Sequence, residues 1–406
     1  MARAPRALLL VAALALAGTR TARADDDPRL AAALATALPA EGRIDLVEID
    51  LPSVPDAPRV RAATRVAATP AAIKNILLDP AHYQAIIPSL IKSDLETLND
   101  PKLGVPVVGW ELEVPLFNLS GRMALHNRPD GVTIDLFEGD FAPGRLVFTV
   151  APTPGGATLS LDAVLDVKRS SWLLRRIIKR SPVGEPAALA AAAYVALRAV
   201  ALRAEHPTDR WARRAGATPA PPPAWLPDTG PLAAPSLAPL RARGALAVLA
   251  RTPSDRLGGV AVAVALSAPT ETVAARLRDP TSWRAFPGWK TIRVRPGANG
   301  AGAEVEDDLP LVDCDATWIA EPGAVPRWVA TAGATRGARL GWTFTALPGP
   351  SGAPSTLAAL TLYPRLEQTG SVGRRFIAAE PLLEQGLALG LAFADLAGVK
   401  ATFVTR

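Results

Sequence analysis

The chain has 406 residues, 49% hydrophobic and 20% charged, with nine Trp and three His; this is the composition of a chain that buries cores, and it excludes a disordered or collagen-like polymer. Its length predicts two to three domains of roughly 150 residues each. The lone Cys314 excludes an intrachain disulfide and a Cys-based zinc site, and part of the formal charge of +6 is carried by the first 24 residues.

Residues 1–24 read as a secretory signal. Arg3 and Arg6 precede an apolar run, 7–18, that is too short to span a bilayer, and Ala22-Arg23-Ala24 fits the small-x-small cleavage pattern. The expected mature chain starts at Asp25 and is exported, to the periplasm or outside the cell. Without Arg3, Arg6, Arg20 and Arg23 the formal charge is +2, from 40 basic and 38 acidic residues. That leaves no global footprint for nucleic acid. A local excess remains at 168–214, where eleven Lys/Arg face three acids.

Residues 25–42 are a lead-in. The stretch 43–51, RIDLVEIDL, alternates as a strand, Pro52, Pro55 and Pro58 break it, and 60–67 is a second strand. Thr69 as N-cap and Pro70 at the first position open a helix with an apolar stripe at Ile73, Ile76 and Leu77. Asp79-Pro80 ends it. Strands are then expected at 91–98, 107–114, 117–126, 131–137, 145–151 and 157–168, separated by Asn99-Asp100-Pro101, Pro129-Asp130-Gly131, Pro143-Gly144 and Pro154-Gly155-Gly156. The first domain, 43–205, closes with WLLRRIIKR at 172–180, a Pro/Gly break and an Ala-rich helix. Residues 206–243 are too proline-rich for a helix or strand interior and predict a semi-stiff, partly extended linker, pinned by Trp211 and Trp225. The second domain, 244–406, starts with strands at 245–250 and 259–266, continues with a helix to Leu277 and strands from 290 to 363, and ends in a helix at 381–400. No stretch after the signal reads as long and apolar enough to cross a membrane.

An internal repeat organises the whole chain. Asp79-Pro80-x-x-Tyr83-x-Ala85-Ile86 matches Asp279-Pro280-x-x-Trp283-x-Ala285-Phe286. Glu113-Val114-Pro115-Leu116 resembles Asp308-Leu309-Pro310-Leu311, Arg175-Arg176-Ile177-Ile178 matches Arg374-Arg375-Phe376-Ile377, and Glu185-Pro186 matches Glu380-Pro381. Matches in one order at a period near 200 mean a duplicated domain. The predicted class is α+β, with helices on one side of an antiparallel sheet.

On these residues the chain resembles the START-like, helix-grip superfamily, which includes polyketide cyclases, coenzyme Q-binding START domains and lipid-transfer proteins. The opening helix with its Asp-Pro-x-x-(Tyr/Trp) end, the strand pair around Pro115 and the closing helices carry the resemblance. It implies two curved antiparallel sheets, each wrapped around a long C-terminal helix, and a hydrophobic cavity for a lipid, sterol, quinone or polyketide. Fold alone implies no catalysis.

The candidate lining follows from periodicity. In the first copy Trp110, Phe117, Phe137 and Phe148 lie on strands, and Leu189, Ala193 and Leu197 form a stripe on the closing helix, with Tyr194 as a polar handle. In the second copy the lining comprises Trp318, Trp342 and Phe344 with Leu387 and Leu391. Trp172, Leu173, Arg175, Arg176, Lys179 and Arg180 make an amphipathic piece suited to an anionic membrane surface. His82, His126 and His206 stand in no metal-ligand spacing, and nucleophile motifs are missing, so no catalytic residue, metal or cofactor is expected. The acids Glu304, Glu306 and Asp308 alternate on one strand face and read as solvated. The expected function is non-enzymatic binding or transfer of a hydrophobic small molecule. The rival readings are a polyketide cyclase/dehydratase-like enzyme and a ligand-free envelope scaffold.

Overall fold

The alternating and helical periodicities resolve into two matching series of elements. The computed structural model describes residues 44–50, 58–114, 117–166, 184–207, 229–285, 289–297, 300–309, 312–313, 316–322, 325–348, 353–366, 377 and 381–403. The signal, the lead-in, the amphipathic piece 172–180, Trp211, Trp225 and Cys314 lie outside the described residues, as does the side chain of Phe117.

The first half runs β1 (Ile44–Asp50), β2 (Arg59–Val66), α1 (Pro70–Leu77), a 3-10 turn (Pro80–Ala85), β3 (Leu90–Thr97), β4 (Val107–Val114), β5 (Phe117–Arg128), β6 (Gly131–Gly139), β7 (Phe141–Thr153), β8 (Gly156–Asp166) and α2 (Gly184–Glu205). Two 3-10 turns and the short α3 (Ala238–Arg241) lead into the second half. That half runs β9 (Gly244–Arg251), β10 (Leu257–Leu266), α4 (Thr270–Arg278), a 3-10 turn (Ser282–Ala285), β11 (Trp289–Gly297), β12 (Gly300–Leu309), β13 (Val312–Asp313), β14 (Ala316–Glu321), β15 (Arg327–Gly333), β16 (Arg339–Pro348), β17 (Pro354–Tyr363) and α5 (Pro381–Phe403). The class is α+β, and every strand pairing among the described residues is antiparallel.

The pairings place the first half in the order β3-β4-β5-β6-β7-β8-β2-β1. The second half mirrors it as β9-β10-β17-β16-β15-β14-β12-β11. Strands β1 and β9 pair with each other and join the two into one continuous sheet. Among the described residues no pairing joins the outer strands β3 and β11. The centre is pseudo-symmetric. Val47 lies opposite Ala62 on one side and Ala247 on the other, and Ala247 lies in turn opposite Val262. The residue that Val47 faces across the join is thus its own repeat partner, 200 positions on. A two-fold relation between the halves passes through that pair.

The repeated opening helix is built as its sequence implies. The Thr69 hydroxyl accepts a hydrogen bond from the Ala72 backbone N–H at 3.2 Å, with Pro70 in the first turn. Its aromatic end is repeated atom for atom in role: the Tyr83 hydroxyl donates to the Leu77 carbonyl, and Trp283 Nε1 donates to the Leu277 carbonyl at 3.0 Å. Both rings are buried. Each thereby takes up a carbonyl freed at a helix C-terminus. Burial pushes the Tyr83 phenol well above its ordinary value, with Asp79 adding to the effect.

Three expectations need correction. Pro143-Gly144 is not the turn between β6 and β7. The reversal occurs at Gly139–Asp140, where Gly139 has φ +86°, and Pro143 and Gly144 sit within β7 at an irregularity in its register. A bulge near a strand's start tolerates proline, because no ladder donor is needed there. The end of the proline-rich stretch is not an extended spacer. Gly230–Ala233 and Pro235–Leu237 are 3-10 turns, followed by α3. Leu232, Leu237 and Leu240 are buried in a core with Leu46, Leu246, Val248, Ala261 and Leu357 on the outer face of the central strands. Arg241 fastens the segment by donating to the carbonyls of Leu232 and Ala234 at 2.8 and 2.7 Å. The prolines occupy first turns, where a missing N–H costs nothing. Finally, α2 and α5 are both long and apolar enough to cross a membrane by length and composition. Both are mostly buried against the sheet and each other, as core helices are.

The central strands therefore have two buried faces. Asp45, Val47 and Ile49 of β1 face the helices, while Leu46 and Glu48 face outward beneath the 229–241 segment. Glu48 is fully buried there and bridges Arg61 at 3.1 Å and Arg243 at 2.6 Å. Burial pushes the Glu48 carboxyl above its ordinary value, although both guanidinium groups pull it down.

Candidate ligand-binding site

On the helix side of the sheet the two halves present similar apolar surfaces. In the first half Trp110 (β4) and Phe148 (β7) are buried, and Leu189, Ala193 and Leu197 of α2 pack in the same cluster. Trp110 stacks on Phe141 with ring centroids 6.0 Å apart. It lies across from Gly121 on β5, where a Cβ would come within 2.9 Å of the indole ring. Glycine there lets the indole lie flat on the neighbouring strand.

In the second half Trp318, Trp342 and Leu391 are buried, and Phe344 and Leu387 are half-buried against the same core. Register brings the tryptophans together. Trp318 is opposite Ala330 and Trp328 is opposite Ala320, so Trp318 and Trp328 are diagonal neighbours. Trp328 is opposite Leu340, two residues before Trp342, so those two are diagonal neighbours as well. Diagonal pairs on one sheet face lie within reach of aromatic side chains. Trp283 meets Trp328 edge-on, with centroids 4.7 Å apart. The indole N–H groups of Trp110, Trp328 and Trp342 are buried without a hydrogen-bond partner.

Two expected lining residues are placed elsewhere. Phe137 is 40% exposed, with Arg122 stacked over its ring at 5.4 Å. Strand parity explains this: Val132, Ile134 and Leu136 face the core, so Phe137 faces out. Tyr194 is fully buried but is not part of an apolar lining. Its hydroxyl donates to Asp45 Oδ2 at 2.8 Å and lies 3.0 Å from Gln385 Oε1, tying α2 to β1 and to α5. Burial, with the Asp45 charge, holds the phenol well above its ordinary value.

Tyr194 belongs to a polar seam between the halves that sequence reasoning missed. Arg198, one helical turn on, is fully buried and lies 3.8 Å from Asp45, 3.9 Å from Glu205 and 3.7 Å from Asp255. It also donates to Thr64 Oγ1 at 3.1 Å, and that hydroxyl donates to Asp45 Oδ1 at 2.5 Å. Arg251 bridges Asp45 at 3.1 Å and Asp255 at 2.5 Å. Gln385 Nε2 donates to the Asp255 carbonyl at 2.7 Å, and Arg256 pairs with Glu384 at 3.1 Å. A signal was present: Asp45 has the parity of Val47 and Ile49 in an alternating strand, and Arg198 follows Tyr194 by four residues in an apolar helix.

The seam also gathers Glu205, His206 and Asp255 into one cluster whose ligand atoms lie within 4.8 Å of one another. The spacing rule for metals did not anticipate this, because the third member comes from another element. Arg198 approaches both carboxylates and Arg251 holds Asp255, so the charge a cation would take is already compensated. The donor set fits an ion-pair network better than a metal centre. The other histidines make local contacts, His82 with Asp79 at 2.6 Å and His126 with Asp135 at 3.2 Å.

Comparison with solved structures finds remote likenesses. A START superfamily protein from Mycobacterium smegmatis is 17% identical, over 37% of this chain and 99% of its own, with a TM-score of 0.28. A STAR-related lipid transfer protein from Xanthomonas axonopodis is 15% identical, over 40% of this chain and 93% of its own, with a TM-score of 0.28. A di-domain ARO/CYC from the steffimycin biosynthetic pathway is 10% identical, over 85% of this chain and 99% of its own, with a TM-score of 0.27. The chain is similar to START-type proteins. At these identities the START-type likeness concerns the fold alone. No family model matches the sequence, and no curated protein matches it.

Proposed function

We propose that each half is a helix-grip unit and that the protein binds a hydrophobic small molecule between sheet and closing helix, without catalysing a reaction. The observation that carries this reading is where the chemistry sits. Aromatic and aliphatic side chains cover the helix-facing surface of both half-sheets: Trp110 and Phe148 in one, and Trp318, Trp328 and Trp342 in the other. The charges of Asp45, Arg198 and Arg251 gather instead at the seam between the halves, paired with one another and with Asp255. An apolar lining with few polar groups is the character of a small-molecule site. In this reading the chain is exported after cleavage near Ala24, the domains are 43–205 and 244–406, and the amphipathic piece 172–180 touches an anionic leaflet at the first unit's mouth.

Thermal unfolding in the presence of a panel of fatty acids, sterols, prenyl quinones and aromatic polyketides tests binding. A ligand at about 100 times its Kd stabilises the folded state by about 2.7 kcal/mol. At least one class is expected to raise the melting temperature by several degrees. A flat response across the panel contradicts the proposal.

A further inference from the structure

Strand β3 ends the sheet of the first half. Among the described residues it pairs with β4 and with no other strand. An edge of this kind presents unpaired N–H and C=O groups and is a template for another strand. The 3-10 turn before it is fastened at two points: the Ser93 hydroxyl donates to the Pro80 carbonyl at 2.7 Å, and Gln84 donates to the Ile91 carbonyl at 3.0 Å. The ladder to β4 is regular from Lys92 to Leu95 and irregular on either side. Seven large apolar side chains are exposed among the described residues. Four of them, Ile91, Leu95, Leu98 and Leu103, lie on β3 or just after it. Ile91 is 46% exposed, Leu95 42% and Leu98 73%. Clustered exposure of this kind marks an interaction surface, as scattered exposure does not. Residues 90–103 carry two lysines against three acids, so the patch is not suited to an anionic membrane.

The charge pattern favours a second copy of this chain. Lys92 and Asp94 are two residues apart and so share a face of the strand. They lie 3.4 Å apart, with more than half of each side chain exposed. A lone edge lysine repels a copy of itself, whereas a lysine and an aspartate at this spacing complement their own copy when the strands run antiparallel. We propose that the β3 edges of two copies pair antiparallel about a two-fold axis at Ser93. That register sets Lys92 opposite Asp94 of the second copy, twice by symmetry, and sets Ile91 beside its Leu95. Centring the pair on Asp94 would set that carboxylate against itself. A carbonyl has two lone pairs, so the Gln84 bond leaves the Ile91 carbonyl able to accept from the second strand. The contact is small, so the association is weak and depends on concentration.

The test is sedimentation velocity of the purified protein from about 1 to about 300 μM, the range in which a small interface associates. The average mass is expected to rise with concentration toward that of a dimer. Lys92→Asp and Asp94→Lys each set two like-charge pairs across the axis and weaken the dimer about tenfold. An equimolar mixture of the two variants restores opposite charges at both pairs, and its association returns to the wild-type level. If a variant fails to fold, hydrogen exchange of the wild-type protein replaces it: the amides of 91–95 are expected to exchange more slowly at high concentration than at low. A monomer at every concentration overturns the inference, as does a dimer that neither charge reversal weakens. Loss of association in both variants without recovery in the mixture overturns the register. A monomeric wild type that binds phosphatidylcholine vesicles, with binding lost in Leu98→Asp, assigns the patch to a lipid surface and overturns the second copy as its occupant.

Discussion

Arg198→Met is expected to destabilise the protein by about 3–5 kcal/mol in urea unfolding, the cost of removing one partner from a buried ionic group. Arg198 is fully buried and answers to Asp45, Glu205 and Asp255, and it donates to Thr64. Methionine matches the volume of the stem but leaves three carboxylates with Arg251 as their main counterion. Asp45 suffers most, because it is fully buried and also receives the Tyr194 and Thr64 hydroxyls. The double variant Arg198→Met/Asp45→Asn removes opposite charges together, so its loss should be smaller than the sum of the two single losses. That coupling separates an electrostatic seam from simple loss of packing. A loss below about 1 kcal/mol for Arg198→Met would place the charge in an exposed-pair regime and would contradict the geometry.

The second large effect concerns the contact between the closing helices. Gly386 and Gly390 of α5 lie against α2. A Cβ at Gly386 would stand 2.6 Å from Val195 Cγ2 and 3.0 Å from the Ala191 carbonyl oxygen, and one at Gly390 would stand 3.2 Å from the Ala187 carbonyl oxygen. Mid-helix glycine costs about 1 kcal/mol relative to alanine, and close helix approach at this contact offsets that cost. Gly386→Val is expected to cost about 2–3 kcal/mol by overpacking. Gly386→Ala combined with Val195→Ala should recover most of the stability, because the clash is chiefly with one methyl group. The same calorimetric scan should show one cooperative transition moving as a whole, since β1–β9 pairing and α2–α5 packing join the halves. If Gly386→Val splits the scan into two transitions, the halves are less coupled than the contacts imply.

Much of this arrangement was legible in the residues. Asp79-Pro80-x-x-Tyr83 and its copy 200 residues later led to two helix ends that are closed by the same aromatic-to-carbonyl bond. The alternation of 43–51 placed β1, but alternation alone does not name a strand's partner, so the β1–β9 join went unseen. What was missed was mostly non-local. Asp45, Thr64, Tyr194, Arg198, Arg251 and Asp255 come from separate elements and meet only when the halves meet. The expected lining omitted Trp328, which register sets diagonal to Trp342. Phe137 was recoverable, since its parity opposes that of Ile134 and Leu136. The 229–241 segment was misread because proline count outweighed the spacing of Leu232, Leu237 and Leu240.

The most direct measurement of the binding claim is native mass spectrometry of the chain from Asp25 onward, purified without detergent and then loaded with a lipid extract. The account predicts a bound apolar molecule, seen as a discrete added mass that organic solvent releases. A protein that shows only its own polypeptide mass, both as purified and after loading, would contradict it.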